Sequence, residues 1–178
     1  MIRFKKLREE HLKQVLDWRT QEDVTRFMNT DIEKDINKQQ DWFTKVSVSS
    51  TDRYWIIEMK NQPVGLIYLS DIDFVNQRTS WGFYIGEENY RLYGGIVPLY
   101  LYNYVFLKLG FHKITAEVMS GNENVIKLNK MHGCREVGIY REHIYKKGIF
   151  NDLVVMELLK DEWIAITKYQ KYISEFEE

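Results

Sequence analysis

The order of the patterned segments predicts an α+β fold, in which an antiparallel meander of strands precedes a strand, helix, strand, helix, strand succession. Two β-rich runs, Tyr54 to Met59 and Val64 to Leu69, flank Lys60-Asn61-Gln62-Pro63, which is hairpin punctuation. A third run, Thr79 to Ile85, follows them, and after it helix-patterned and strand-patterned segments alternate. This order excludes a doubly wound parallel sheet.

The elements follow in turn. Ile2 and Phe4 alternate with charged neighbours as a short strand does, and Leu12, Val15, Leu16 and Arg19 then take helical spacing with Trp18 beside them. Asp31 to Lys45 has helical character ending in Trp42 and Phe43, and the polar Ser47 to Thr51 is a loop. Gly82 interrupts the third β run, which marks a bulge or a close approach by another backbone. Arg91-Leu92-Tyr93-Gly94-Gly95-Ile96 opens an apolar helix that stops at Gly110, a C-terminal cap. His112 to Met119 reads as a strand and Asn122 to His132 as a helix stopped by Gly133. Glu136 to Tyr145 and Phe150 to Leu159 form a hairpin around Lys147-Gly148, and the tail from Asp161 to Phe176 is predicted to be a last helix.

Length and composition narrow the function classes. The chain has 178 residues, enough for about one domain, with no repeat or Pro/Gly-rich linker to divide it, so residues 1–178 are read as a single domain. Lys and Arg number 25 against 26 Asp and Glu, so no global field draws the chain to nucleic acid or anionic lipid. The single cysteine, Cys134, excludes an internal disulfide, and His11, His112, His132 and His143 fall at no recognised zinc spacing, so no metal is expected. The N-terminus carries charge with no apolar run behind it, and Ile96 to Leu107 is too short to span a bilayer; the expectation is a cytoplasmic protein.

One segment points to chemistry. A glycine pair after a strand and loop, opening a helix, presents backbone N–H groups at the positive end of the helix dipole, and a pyrophosphate can approach Gly94 and Gly95 closely while Arg91 adds charge. The alternative is an ordinary loop. No Lys-Ser/Thr follows, so this is not a Walker loop, and the spacing does not fit a dinucleotide fingerprint. Further on, Glu117-Val118-Met119-Ser120-Gly121-Asn122 ends a strand in a polar turn, with Asn122 placed to cap the next helix or to touch a ligand there.

These segments together resemble the GNAT superfamily of acetyl-CoA-dependent N-acetyltransferases. The phosphate loop of that superfamily, Arg/Gln-x-x-Gly-x-Gly/Ala, is matched by Arg91-x-x-Gly94-x-Ile96. Its later motif, Asn-x-x-Ala-x-x-Leu-Tyr-x-x-x-Gly-Phe, is matched by Asn122-x-x-Val125-x-x-Leu128-Asn129-x-x-x-Gly133-Cys134. Gly138-x-x-Arg141 and Gly148-x-x-x-Asp152-x-x-x-Met156 resemble the ending of the branch that holds ribosomal-protein, polyamine and aminosugar acetyltransferases. The resemblance implies a mixed, mostly antiparallel central sheet flanked by helices and splayed between its central strands. It implies acetyl-CoA as cosubstrate, held by Phe83, Tyr84, Ile85, Arg91, Leu92, Tyr93, Gly94, Gly95, Ile96, Asn122 and Asn129.

Within that branch, Leu16-Asp17-Trp18-Arg19 with Arg26-Phe27-Met28, and Trp81-Gly82-Phe83-Tyr84-Ile85-Gly86, are most similar to the aminosugar acetyltransferases of pseudaminic acid biosynthesis. By that likeness the acceptor is the 4-amine of a UDP-linked aminodideoxy sugar, a small-molecule nucleotide-sugar touched by Arg19, Met28, Trp81 and Tyr84; the family also implies a homodimer. Met28 and Tyr84 are otherwise read as core, and Arg19 as a solvated charge. Family members often use a carboxylate as base and a tyrosine as acid, and at those positions stand Ser80 and Asn129. Loss of one such group costs ~10²–10⁴ in rate, which slows an enzyme without abolishing it. A sugar amine, less basic than a lysine-like amine of pKa ~10.4, tolerates a weak base better than a polyamine does. Cys134 is read as a small buried residue, since the family forms no acyl-enzyme. The rival readings are a protein N-terminal or polyamine acetyltransferase and a non-catalytic acyl-CoA-binding module.

Overall fold

The computed structural model describes residues 2–178 and contains one seven-stranded sheet in the order β1-β2-β3-β4-β5-β7-β6. β1 is Ile2–Lys6, β2 Arg53–Met59, β3 Gln62–Asp73, β4 Arg78–Ile85, β5 Lys113–Met119, β6 Arg135–Lys146 and β7 Ile149–Leu159. Every neighbouring pair is antiparallel except β4 and β5, which run parallel. The mixed, mostly antiparallel sheet is therefore the one the sequence implies.

Helices cover both faces. α1 (Leu12–Arg19), α2 (Glu22–Thr25) and α3 (Ile36–Ser47) lie on one face, where Val15, Trp18 and Val24 pack on Ile56, Leu66 and Tyr84. α4 (Val97–Asn103) continues through a π-helical turn at Tyr104–Lys108 and packs on the other face, where Leu101, Tyr102 and Phe106 meet Ile67, Ile114 and Met156 in the larger core. α5 (Glu123–Met131) joins it there through Val125 and Ile126. Strand alternation divides the residues of β4 between the two faces: Trp81, Phe83 and Ile85 belong to the larger core, and Gly82 and Tyr84 to the other face.

Three local expectations need correction. The first hairpin turns at Lys60-Asn61, both at positive φ (52° and 63°), which is the geometry a two-residue hairpin loop demands, so β3 already contains Pro63. Gly82 is not a bulge. It pairs in register with Tyr68, and a Cβ there would lie 2.3 Å from the Tyr68 hydroxyl, so the glycine makes room for that side chain.

The tail is not one helix from 161 to 176. α6 covers only Lys160–Ala165; a 3-10 turn at Thr167–Tyr169 follows, and the chain then runs out to a parallel bridge between Phe176 and Phe4. Asn103 of the apolar helix ties the tail down. It accepts from Trp163 Nε1 (2.8 Å) and donates to the carbonyls of Tyr169 (3.0 Å) and Tyr172 (2.9 Å), and the Tyr169 carbonyl also closes a single turn with the Tyr172 N–H (3.1 Å). Phe176 then stacks on Phe4 at 4.1 Å and on Tyr104 at 4.3 Å.

Candidate active site

The parallel pair β4 and β5 is joined over only three residues, Arg78 to Ser80 against Lys113 to Thr115. The apex is held by a hydrogen bond between the hydroxyls of Ser80 and Thr115 (2.9 Å). Beyond it the strands part, and Trp81 to Ile85 face Ala116 to Val118 across a cleft of about 510 Å³. The unpaired backbone edges of a fork are hydrogen-bonding groups that need partners, and this is the splay the sequence resemblance implied.

The phosphate-loop segment is a 3-10 stretch, Glu88–Gly95, leading into α4. Arg91 and Gly94 line the cleft; Leu92 points to solvent, and Leu92, Tyr93, Gly95 and Ile96 lie outside the lining. Arg91 Nη1 donates to Asp23 of α2 at 2.8 Å. Neither glycine has positive φ, and a Cβ on Gly94 or Gly95 would meet only Phe83 at 3.8 Å or Leu128 at 3.9 Å, both ordinary contacts. The packing of this chain does not require glycine at either place. The loop offers fewer free donors than the sequence suggests, because Ile96 N–H is bonded to Tyr93 O (3.0 Å) and Pro98 has no N–H.

Sequence reading missed what holds this loop. His132, at the end of α5 and 2% exposed, has Nε2 3.0 Å from the carbonyl of Gly95. A carbonyl only accepts, so Nε2 carries the proton. Burial pushes the His132 pKa down to about 4, and the ring is neutral at pH 7. Asn122 occupies the N-cap position of α5, yet its side chain makes no capping bond; it lines the cleft instead.

Asn129 is 1% exposed and also lines the cleft, with Nδ2 3.8 Å from Met156 Sδ and Oδ1 without a partner. Trp81 and Tyr84 are each 8% exposed, belong to the packed cores and line the cleft as well. Among the described residues, four buried side-chain polar atoms lack partners: Trp81 Nε1, the Tyr84 hydroxyl, Asn129 Oδ1 and His132 Nδ1. Three of them belong to residues lining the cleft. Each such orphan costs roughly 1–3 kcal/mol, and their gathering at one cleft marks it as a place where a ligand supplies partners.

Ser80 lies at the closed apex, outside the lining. The cleft nonetheless holds a carboxylate that the sequence reading did not place there. Glu117 of β5 is exposed and lines the cleft; since Ala116 and Val118 face the larger core, alternation turns Glu117 to the face of Tyr84. That alternation in Ile114-Thr115-Ala116-Glu117-Val118 was the signal available.

On this face a second chamber of about 630 Å³ shares Arg19, Met28, Thr30, Tyr68 and Tyr84 with the cleft. Its wall is aromatic: Tyr54 stacks on Tyr68 at 5.2 Å and Trp42 meets Tyr54 edge-on at 5.1 Å. Its two carboxylates are paired, Asp31 with Lys146 at 2.9 Å and Glu33 with Lys38 at 2.6 Å. The hydrogen bond from Lys146 holds the Asp31 carboxyl below its ordinary range. Arg19 is not a solvated charge. It is 8% exposed and donates to Thr25 Oγ1 (3.0 Å), Thr30 O (2.6 Å) and Thr30 Oγ1 (3.1 Å). Cys134 is buried, and burial pushes its thiol up to about 11, which removes it as a nucleophile at neutral pH.

Residues 4–155, which include the forked pair, the glycine loop and the Asn-opened helix, match a family model described as an acetyltransferase (GNAT) domain. The chain belongs to the GNAT family. This GNAT domain is 27% identical over 130 residues to an uncharacterized N-acetyltransferase from the SPbeta prophage of Bacillus subtilis, with 71% of this chain and 72% of that one covered. It is 32% identical over 101 residues to a protein of the same organism named as a candidate ribosomal N-acetyltransferase, with 56% and 55% covered. Among solved structures, a spermidine N-acetyltransferase from Vibrio cholerae in complex with CoA and spermine superposes with TM-score 0.85 at 16% identity, over 92% of this chain and 98% of that one. The protein is an acetyl-CoA-dependent acetyltransferase. Among the described residues no helix is long and apolar enough to cross a membrane.

Proposed function

We propose that this GNAT enzyme acetylates the primary amine of an aminosugar, with the 4-amine of a UDP-linked aminodideoxy sugar as the specific acceptor. The observation that carries the reading is the charge balance of the acceptor chamber. Both of its carboxylates are neutralised by lysines, Arg19 adds a buried cation, and the rest of the wall is mainly hydroxyl and aromatic face. A polyamine, with several ammonium groups, needs unpaired carboxylates. A sugar presents hydroxyls for Tyr54, Tyr68 and Tyr84 and an apolar ring face for aromatic contact.

The residues present fit acetyl-CoA. Gly94 and Gly95 are glycines that neither φ nor packing demands, which supports close approach of a ligand's pyrophosphate, with Arg91 beside it. The β4 edge from Trp81 to Ile85 would receive the pantetheine amides, and Asn122 and Asn129 would flank that arm. When bound, the cosubstrate supplies an activated acetyl thioester. The acceptor nitrogen attacks the acetyl carbon, the carbon–sulfur bond breaks, Glu117 takes the ammonium proton, and the sulfur leaves as thiolate. An amide is no acid, so Asn129 serves as a hydrogen-bond donor to that sulfur rather than as a proton source. The donor it requires is reached by an amide flip, which gives up only a long contact to Met156 Sδ. A thiol of pKa ~8.5 is a tolerable leaving group without a strong acid.

A second reading, polyamine acetylation, is favoured by the likeness to the Vibrio cholerae spermidine enzyme and by Glu117 as an unpaired carboxylate. Thiol release with UDP-4-amino sugars, spermidine and short peptides as acceptors separates the readings. Turnover confined to the sugars supports the proposal, and turnover of spermidine alone refutes it.

A further inference from the structure

β6 is exposed along nearly its whole length, on both faces, and its one buried residue is a lysine. Lys146, at the tip of the hairpin, has a side chain only 6% exposed. An ammonium has three N–H donors, and burying it is costly unless each finds an acceptor. Here all three do: Nζ donates to Thr25 O (2.5 Å), Met28 O (2.7 Å) and Asp31 Oδ1 (2.9 Å). All three acceptors lie on one short segment, Thr25 to Asp31, more than a hundred residues away in sequence.

That segment forms a wall of the cleft through Phe27, Met28 and Asn29 and of the adjoining chamber through Met28, Thr30 and Asp31. It is too short for a helix of its own, since α2 ends at Thr25. Two buried cations hold it in place of backbone structure: Arg19 from α1 on Thr25 and Thr30, and Lys146 from the hairpin on Thr25, Met28 and Asp31. The neighbouring Lys147 makes only an exposed pair with Glu22. A chain that needed only to close this corner has cheaper means, because an apolar side chain at the same place would bury without three partners.

We infer that Lys146 is a positioning residue for acceptor recognition: it fixes the carbonyls of Thr25 and Met28 and the Asp31 carboxylate, and so sets where Phe27, Met28 and Asn29 stand in the acceptor-side wall. This rests on the reading that the chamber beside the fork takes the acceptor, and not on the acceptor being a sugar. Replacing the ammonium by a methyl thioether leaves two carbonyls and a carboxylate without their donor. The wall loosens while the opposite side of the cleft, with Gly94, Asn122 and Asn129, is untouched.

The test compares Lys146→Met, Lys146→Arg and the surface control Lys147→Met. The acceptor is whichever amine of the panel turns over, with hydrogen exchange of the 25–31 amides measured in parallel. Lys146→Met is expected to raise the acceptor KM by about tenfold or more, to leave the acetyl-CoA KM within about threefold, and to speed exchange in 25–31; Lys146→Arg recovers part of the loss and Lys147→Met changes nothing. Equal rises in both KM values, or an unchanged acceptor KM, overturn the inference. If spermidine or a peptide is the amine that turns over, the aminosugar reading fails while the KM split still decides the role of Lys146. If no amine turns over, Lys146→Met decides by exchange, and if that variant fails to fold Lys146→Gln takes its place: unchanged protection of 25–31 overturns the inference, and faster exchange confined to that segment supports it.

Discussion

Replacing Glu117 by glutamine keeps the side chain's size and removes its capacity to take a proton. Among the carboxylates lining the cleft, Asp23 is committed to Arg91 at 2.8 Å, whereas Glu117 has no basic partner among the described residues. A positioned general base contributes ~10²–10⁴ in rate. Glu117 is exposed, so water reaches it and takes over part of its task, which puts the loss at the lower end. The account predicts a fall in kcat of about 10²-fold at pH 7, or ~2.7 kcal/mol, with the acetyl-CoA KM little changed. The variant's rate should also climb more steeply with pH than the wild type's, since it depends on amine already deprotonated in solution. The assay is thiol release at saturating acetyl-CoA and acceptor from pH 6 to 9. A kcat within about threefold of wild type at pH 7 would refute the assignment of Glu117 as the base.

Three further outcomes follow from the geometry. Gly94→Val places a branched side chain where only Phe83 stands at contact distance, so the fold should persist, while the dissociation constant for coenzyme A in calorimetry rises at least tenfold; unchanged affinity removes the phosphate-loop assignment. His132 takes up a proton near 6.5 when unfolded and only at about 4 when folded, so stability complete above pH 6.5 is lost as pH falls toward 4, by as much as about 3 kcal/mol. Melting between pH 7.5 and 5 should therefore drop more in the wild type than in His132→Gln, and equal drops contradict the assignment. Phe176→Ala empties a slot between Phe4, Trp55 and Tyr104, at a cost of ~3–5 kcal/mol measurable by denaturant unfolding; a loss under about 1 kcal/mol would mean the tail is not part of the core.

Much of the fold was legible because the strands carry their own punctuation. Lys60-Asn61, Gly133 and Lys147-Gly148 mark turns whose backbone geometry is local, and the strand, helix, strand order after Thr79 leaves few topologies. The tail was misread because Trp163, Tyr169, Tyr172 and Phe176 follow the spacing of an aromatic slot built by distant residues, and Asn103, which binds the Trp163 indole and the carbonyls of Tyr169 and Tyr172, lies some sixty residues earlier. In the site, Arg91, Gly94 and Asn122 were singled out from their order along the chain and Asn129 from the family resemblance, and all four line the cleft. Lys146 and His132 were not, because each acts through a partner brought near only by the tertiary fold, and a buried lysine on an exposed strand looks in sequence like any surface charge; Glu117 had only strand alternation to mark it, and the cleft it lines is made by the fold. Gly82 illustrates the same limit, since its reason is the Tyr68 hydroxyl on the neighbouring strand.

Competing acceptors in one reaction separate the proposed sugar amine from a polyamine. Wild-type enzyme, acetyl-CoA, a UDP-4-amino-dideoxy sugar and spermidine are incubated together and the acetylated products separated by mass. The acetylated sugar is expected to dominate; acetylspermidine as the main product would overturn the aminosugar proposal.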